Sequence, residues 1–172
     1  EFTWTAEDAK QAWQVESGSV GVYELPQSGA DAPPLEGSYA AYSHDKNGCT
    51  VSQSLDANFR ADMEYVFSAA FQRTDVAHHT NTLVDVEVRY GPTYAASTLI
   101  ASDSGTVIGP LGHETLTAST GVIGPNSPAI GENIIVVMKM ITVAPLTASG
   151  CCMDNAVLTV RPVGGKTVLI VK

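Results

Sequence analysis

Asp85 and Glu87 are the residues in this sequence whose spacing first invites a chemical reading. Two carboxylates one residue apart on an extended segment share a side, about 7 Å from each other by strand rise, near the separation at which a carboxyl pair divides acid and base work. The segment Leu83–Tyr90, however, alternates Val84, Val86 and Val88 with Asp85, Glu87 and Arg89. That pattern turns the carboxylates to solvent, where nothing desolvates an acid enough to raise its pKa. An ordinary wet surface is the expectation. His78-His79, His44-Asp45 and His113-Glu114 offer metal-ligating types, but neighbouring side chains on an extended chain point apart. With no His-x3-His or Cys-x2-Cys spacing, zinc is not expected. A nucleophile elbow and a phosphate-cradling glycine loop, each with its required strand and helix, are missing too, so the chain reads as non-catalytic.

Binding chemistry is better represented. Tyr23, Tyr39, Tyr42, Tyr90 and Tyr94 fall in loops or at strand ends. A flat ring covers the apolar face of a pyranose, and nearby amide, carboxylate or guanidinium groups take its hydroxyls. The polar, irregular stretch Gln72–Asn81 supplies Arg73, Asp75, His78, His79 and Asn81, and Arg89 adds a second guanidinium. The candidate ligand-binding set is therefore Tyr39, Tyr42, Arg73, Asp75, His78, Tyr90 and Tyr94. Tyr65, Phe67 and Phe71 are assigned to the core, where a ring on an alternating strand more often belongs.

Cys49, Cys151 and Cys152 form an odd set, which allows at most one internal disulfide. Cys49 joined to Cys151 or Cys152 would close a loop of about a hundred residues, for which the chain-entropy treatment gives roughly 4–5 kcal/mol. A vicinal Cys151–Cys152 bridge is the strained alternative, and three buried thiols packing as small hydrophobes is the other.

These side chains need strands to hold them. Val, Ile and Thr make up a quarter of the 172 residues, whereas Lys and Arg number nine, a balance that favours pleated over helical backbone. Period-two alternation runs through Val20 and Val22; Val51, Gln53 and Leu55; Met63, Tyr65, Phe67, Ala69 and Phe71; and Val84, Val86, Val88 and Tyr90. Ile134–Ile141 is apolar at nearly every position except Lys139 and reads as a central strand covered on both sides. Turn signals such as Lys46-Asn47-Gly48, Gly91-Pro92 and Gly124-Pro125 separate the runs. Only Thr5–Trp13, which opens like a capping box, suggests a short helix. About nine or ten strands with so little helix require two packed sheets, since one open sheet leaves an apolar face wet. The predicted fold is an all-β, two-sheet antiparallel jelly-roll sandwich over residues 1–162. Residues 163–172 form a tail in which Gly164-Gly165 leads into Thr167, Val168, Leu169, Ile170 and Val171. That strand closes its own sandwich or is donated to a neighbour's edge.

A net charge of −9 repels phosphate backbones, so nucleic acid is not an expected partner. The longest apolar run is far short of the ~20 residues of a membrane-spanning helix. Few lysines, abundant Ser, Thr and Gly, and overall acidity suit a secreted protein, with any leader absent or already removed from Glu1-Phe2-Thr3-Trp4-Thr5.

Several segments together resemble the carbohydrate-binding-module-like, or galactose-binding-like, jelly rolls found beside secreted polysaccharide enzymes. They are Trp13 with Gly18–Tyr23, Gly37–Tyr42, Val51–Leu55, Glu64–Ser68 and Met153–Leu158, in family order from about Trp13 to Pro162. Thr5–Gln14, the Cys151-Cys152 pair and the tail from Val163 depart from the pattern. The resemblance implies a non-catalytic extracellular module that binds a polysaccharide or glycan. It also implies a structural Ca²⁺ near Asp154, with Glu16 as second ligand if the first and last strands are neighbours; Asp154-Asn155 capping a turn is the plainer alternative. The unexplained tail motivates a second function, a subunit of an extracellular filament or surface assembly whose partners are copies of itself.

Overall fold

The computed structural model describes residues 13–24, 39–43, 48–73, 82–108, 112–142, 151–163 and 169–171. The helix expected from Thr5 falls outside this set, and the one helical element within it is a 3-10 turn, Tyr94–Ala96, capped by the Thr93 side chain. Eleven strands are described: β1 (Gln14–Ser17), β2 (Gly21–Glu24), β3 (Tyr39–Ser43), β4 (Cys49–Asn58), β5 (Met63–Arg73), β6 (Thr82–Tyr90), β7 (Thr98–Val107), β8 (His113–Val122), β9 (Asn133–Thr142), β10 (Cys151–Pro162) and β11 (Leu169–Val171). They form two antiparallel sheets, in the orders β1-β4-β9-β6-β7 and β2-β3-β10-β5-β8, with β11 beside β10. The protein is thus the two-sheet jelly roll that alternation predicted.

Each sheet buries the side its sequence marks as apolar. Tyr65, Phe67, Ala69 and Phe71 on β5 meet Val84, Val86 and Val88 on β6 in one core, with Val51, Val136, Met138, Met153 and Leu158 around them. Burying a side chain of this size contributes about 1.5–3 kcal/mol, so the alternation is also the main source of stability. β9, third of five, is covered on both sides: Ile134, Val136, Met138 and Met140 face the core, and Ile135 and Val137 are buried on the outer face. The Tyr65 hydroxyl accepts from the Arg60 backbone N–H at 2.8 Å, while its ring meets Phe59 edge-on at 4.6 Å. The turn between β4 and β5 is thereby tied to the core.

Glycine is required where three strands crowd. A Cβ on Gly18 would lie 2.3 Å from the Gly48 carbonyl oxygen, and one on Gly48, at φ +80, would lie 2.2 Å from that of Met140. Only a residue without a side chain adopts this backbone at this distance.

The C-terminal strand turns back on its own chain, with Leu169, Ile170 and Val171 opposite Val160, Thr159 and Leu158 of β10. Thr167 and Val168 lie outside the described residues. β3 takes the first part of the same β10 edge, at Cys151–Met153, which leaves the later part to β11. A strand following so soon after β10 closes only a short loop to reach that edge.

Candidate functional site

The outer face of the five-stranded sheet carries a charged strip built by strand register. Asp85 on β6 sits opposite Lys139 on β9, which sits opposite Thr50 on β4. One pleat along, Glu87, Val137 and Ser52 align, and beyond them Arg89, Ile135 and Ser54. Side chains two apart on a strand share a face, so Asp85, Glu87 and Arg89 form one column beside Lys139.

Glu87 holds the strip together. Both its carboxylate oxygens are engaged: Oε1 accepts from Lys139 Nζ, and Oε2 accepts from Arg89 Nη1 at 2.8 Å. Lys139 Nζ also lies 3.8 Å from Asp85. Arg89 donates through Nε to Ser97 Oγ at 2.7 Å and through Nη2 to the Ser97 carbonyl at 3.3 Å, with its guanidinium carbon 5.3 Å from the centre of the Tyr94 ring. Ser104 Oγ donates to Asp85 at 3.1 Å, and at the opposite edge Ser52 Oγ donates to Glu16.

The solvent surface expected for these carboxylates needs correction. Glu87 is only 5% exposed, and the Ser52, Ile135 and Val137 beside and beneath it are buried as well. The sequence shows an acidic side chain facing away from the core, but burial on that face depends on what neighbouring strands bring across it. Burial alone pushes Glu87 up, yet the hydrogen bonds and charges of Lys139 and Arg89 outweigh it and the net shift is down. Asp85 goes the other way, raised first by burial and then by Glu87, against the lowering by Ser104 and Lys139. The strip thus holds a firmly ionised carboxylate beside one that takes a proton more readily, with two fixed cations and an aromatic ring. Chemically it can donate and accept hydrogen bonds over a floor of buried Ile135, Val137 and Ser52.

The predicted site residues divide. Tyr94 joins the strip through Arg89, and Glu16 reaches its edge through Ser52. Tyr90 packs against the core. Arg73 is fully buried at the end of β5, opposite Cys151, because it continues the inward series Tyr65, Phe67, Ala69, Phe71; it is not on an open loop. Tyr39 and Tyr42 belong to the backbone of β3, and their side chains, like Asp75 and His78, lie outside the described residues.

Glu16 and Asp154 are not brought together. β1 pairs with β4, whereas Asp154 is on β10 of the other sheet and faces outward opposite Ala70. Asn155, at φ +52, belongs to the irregularity between Asp154 and Val157, as a turn-forming Asp-Asn pair allows. Among the described residues no group of three or more His, Cys, Asp or Glu is placed to hold a metal. Cys49, Cys151 and Cys152 are buried thiols. Burial pushes Cys151 up to about 12, raised further by Cys49 and lowered in part by Arg73.

Lys139 is the residue of the charged strip that motif reading missed. Its signal was available: a single cation interrupting an apolar strand is costly unless a carboxylate faces it, and Asp85 and Glu87 are the acidic residues in the adjoining strand.

Solved structures share this architecture. A cyclase from Fischerella sp. TAU, in complex with 4-(1H-indol-3-yl)butan-2-one, has a TM-score of 0.68 and 20% identity over 87% of this chain and 85% of its own. A carbohydrate-binding module specific for non-crystalline cellulose gives 0.54 with 14% identity, covering 86% of each chain. The CBM22-2 xylan-binding domain from Paenibacillus barcinonensis gives 0.52 with 9% identity over 86% of this chain and 90% of that one. No protein-family model matches the chain, and no curated protein matches its sequence. At these identities the shared property is the jelly-roll fold.

Proposed function

We propose that this chain is a non-catalytic, secreted glycan-binding module whose ligand lies along the Asp85–Glu87–Arg89–Lys139 strip. The observation that carries the reading is the buried Glu87 clamp, which fixes Lys139 and Arg89 and stacks Arg89 on Tyr94. Hydroxyls need donors and acceptors already in place, because each group ordered on binding subtracts from a weak affinity. Tyr94 offers a ring at the strip's edge for an apolar sugar face. The sandwich shared with cellulose- and xylan-binding modules supports the same reading. Titration calorimetry against a panel of soluble xylans, glucans and mannans is expected to give weak binding that salt barely changes. Tyr94→Ala is expected to weaken it about tenfold, the equivalent of ~1.4 kcal/mol. No binding across the panel, or binding that neither Tyr94→Ala nor Asp85→Asn moves, would sink the proposal.

One observation favours a second reading. Asp85 and Glu87 have their proton affinities pushed in opposite directions by their surroundings, the condition for separate acid and base roles, and the Fischerella cyclase shares the fold. In that reading Asp85 protonates an indole-bearing molecule during ring closure. A thermal shift with 4-(1H-indol-3-yl)butan-2-one that Tyr94→Ala abolishes, together with no polysaccharide binding, would move the assignment to it.

A further inference from the structure

We propose that Cys49 and Cys151 are a cross-sheet disulfide pair that forms when the chain folds in the presence of an external disulfide, while Cys152 takes no part. The argument rests on position. Cys49 opens β4 and Cys151 opens β10, and both thiols point into the single core shared by the two sheets. They also occupy the same end of that core. In one sheet Cys49 shares its row with Met140 and Val84; in the other, Cys151 shares its row with Ser43 and Arg73. Across the interior β6 lies against β5 and β8, and β7 against β8, so the two sheets stack in these orders and β4, second in one, is a near neighbour of β10, third in the other. Ionising Cys151 is opposed by Cys49 and eased by the buried Arg73, as expected of groups that lie near it.

Cys152 is excluded by the pleat. Successive residues of a strand point to opposite faces, and with Cys151 and Met153 in the core, Cys152 is buried on the outer side of β10. A vicinal Cys151–Cys152 bridge would force those two opposed side chains together. Sandwiches elsewhere are stapled between sheets in the manner proposed here, and a crosslink from β4 to β10 ties strands about a hundred residues apart, where the gain from a restricted unfolded chain is large.

The chemistry is thiol–disulfide exchange. The Cys49 thiolate attacks an external disulfide such as oxidised glutathione and releases one thiol. Cys151 then attacks the Cys49 sulfur of the mixed disulfide and releases the second. The external disulfide is reduced to two thiols, which carry off the two protons, and the cysteine pair is oxidised. Since both thiols are buried in the folded protein, the exchange takes place during folding.

The full chain, with its Cys151→Ser and Cys152→Ser variants, is to be refolded from denaturant in a glutathione redox buffer and mapped by peptide mass spectrometry. The expected result is a Cys49–Cys151 link, with the loss of two hydrogens, in the wild type and in Cys152→Ser. Cys151→Ser should lack an internal link. The linked protein should melt on the order of 10 °C above its reduced form. A link involving Cys152, no internal link in the wild type, or a linked form that melts lower would overturn the proposal; wild type and Cys152→Ser decide it even if Cys151→Ser fails to fold.

Discussion

Glu87→Ala is expected to lower stability by about 3 kcal/mol, near the lower end of what breaking a buried ion pair costs, and to abolish glycan binding. Glu87 is the common partner of Lys139 and Arg89, so its loss leaves Lys139 with only the longer contact to Asp85 and Arg89 with no carboxylate among the described residues. Their side chains retain 20% and 19% exposure, which keeps the penalty from being larger. Urea unfolding with the m-value held constant measures the first effect, and titration with the ligand found for the wild type measures the second. A pH series separates this from simple loss of packing. The Glu87 carboxyl is held below its ordinary 4.5 in the folded state, so its stabilisation is complete above that pH and is lost as pH falls through the folded value. Asp85 is raised above its ordinary 3.8, so its contribution has the opposite sign: it opposes folding when ionised and is relieved on acidification. The wild type should therefore lose stability on acidification below about 4.5 more steeply than Glu87→Gln, which retains only the Asp85 contribution. Parallel curves for the two proteins would show that Glu87 acts by shape alone.

Phe71→Ala is expected to cost about 3–5 kcal/mol, the usual range for deleting a fully buried aromatic side chain, which is a large share of an ordinary total stability of about 5–15 kcal/mol and all of it at the low end of that range. Phe71 is 0% exposed on β5, which pairs with both β8 and β10. The hole it leaves is bounded by strands already hydrogen-bonded on each side, so collapse is limited. Thermal unfolding followed by near-ultraviolet circular dichroism measures the loss; a change below ~1 kcal/mol would mean that the core repacks around the hole.

Alternation made the sandwich readable. Val84, Val86 and Val88 are inward because their strand has period two, and a two-layer shell is the arrangement that buries such faces from both sides. The same periodicity placed Asp85, Glu87 and Arg89 together on one outer column. Charge and polar sequence neighbours suggested a loop at Arg73, against the periodicity, whose inward series from Tyr65 already pointed to its position. Periodicity could not connect Glu87 with Lys139, since they are 52 residues apart and meet only through the pairing of β6 with β9.

From its own residues the chain fixes a β-rich composition, the inward and outward side of each strand, and the turns between them, because these depend on local backbone preference and the period of the pleat. Which strands become neighbours is decided by long-range pairing, and with it the burial of Glu87, the meeting of its two cations, the stacking of Arg89 on Tyr94 and the burial of Cys49 and Cys151 in one core. Burial and charge contact are properties of space between strands, and a linear order of residues does not contain that space until the sheets have closed.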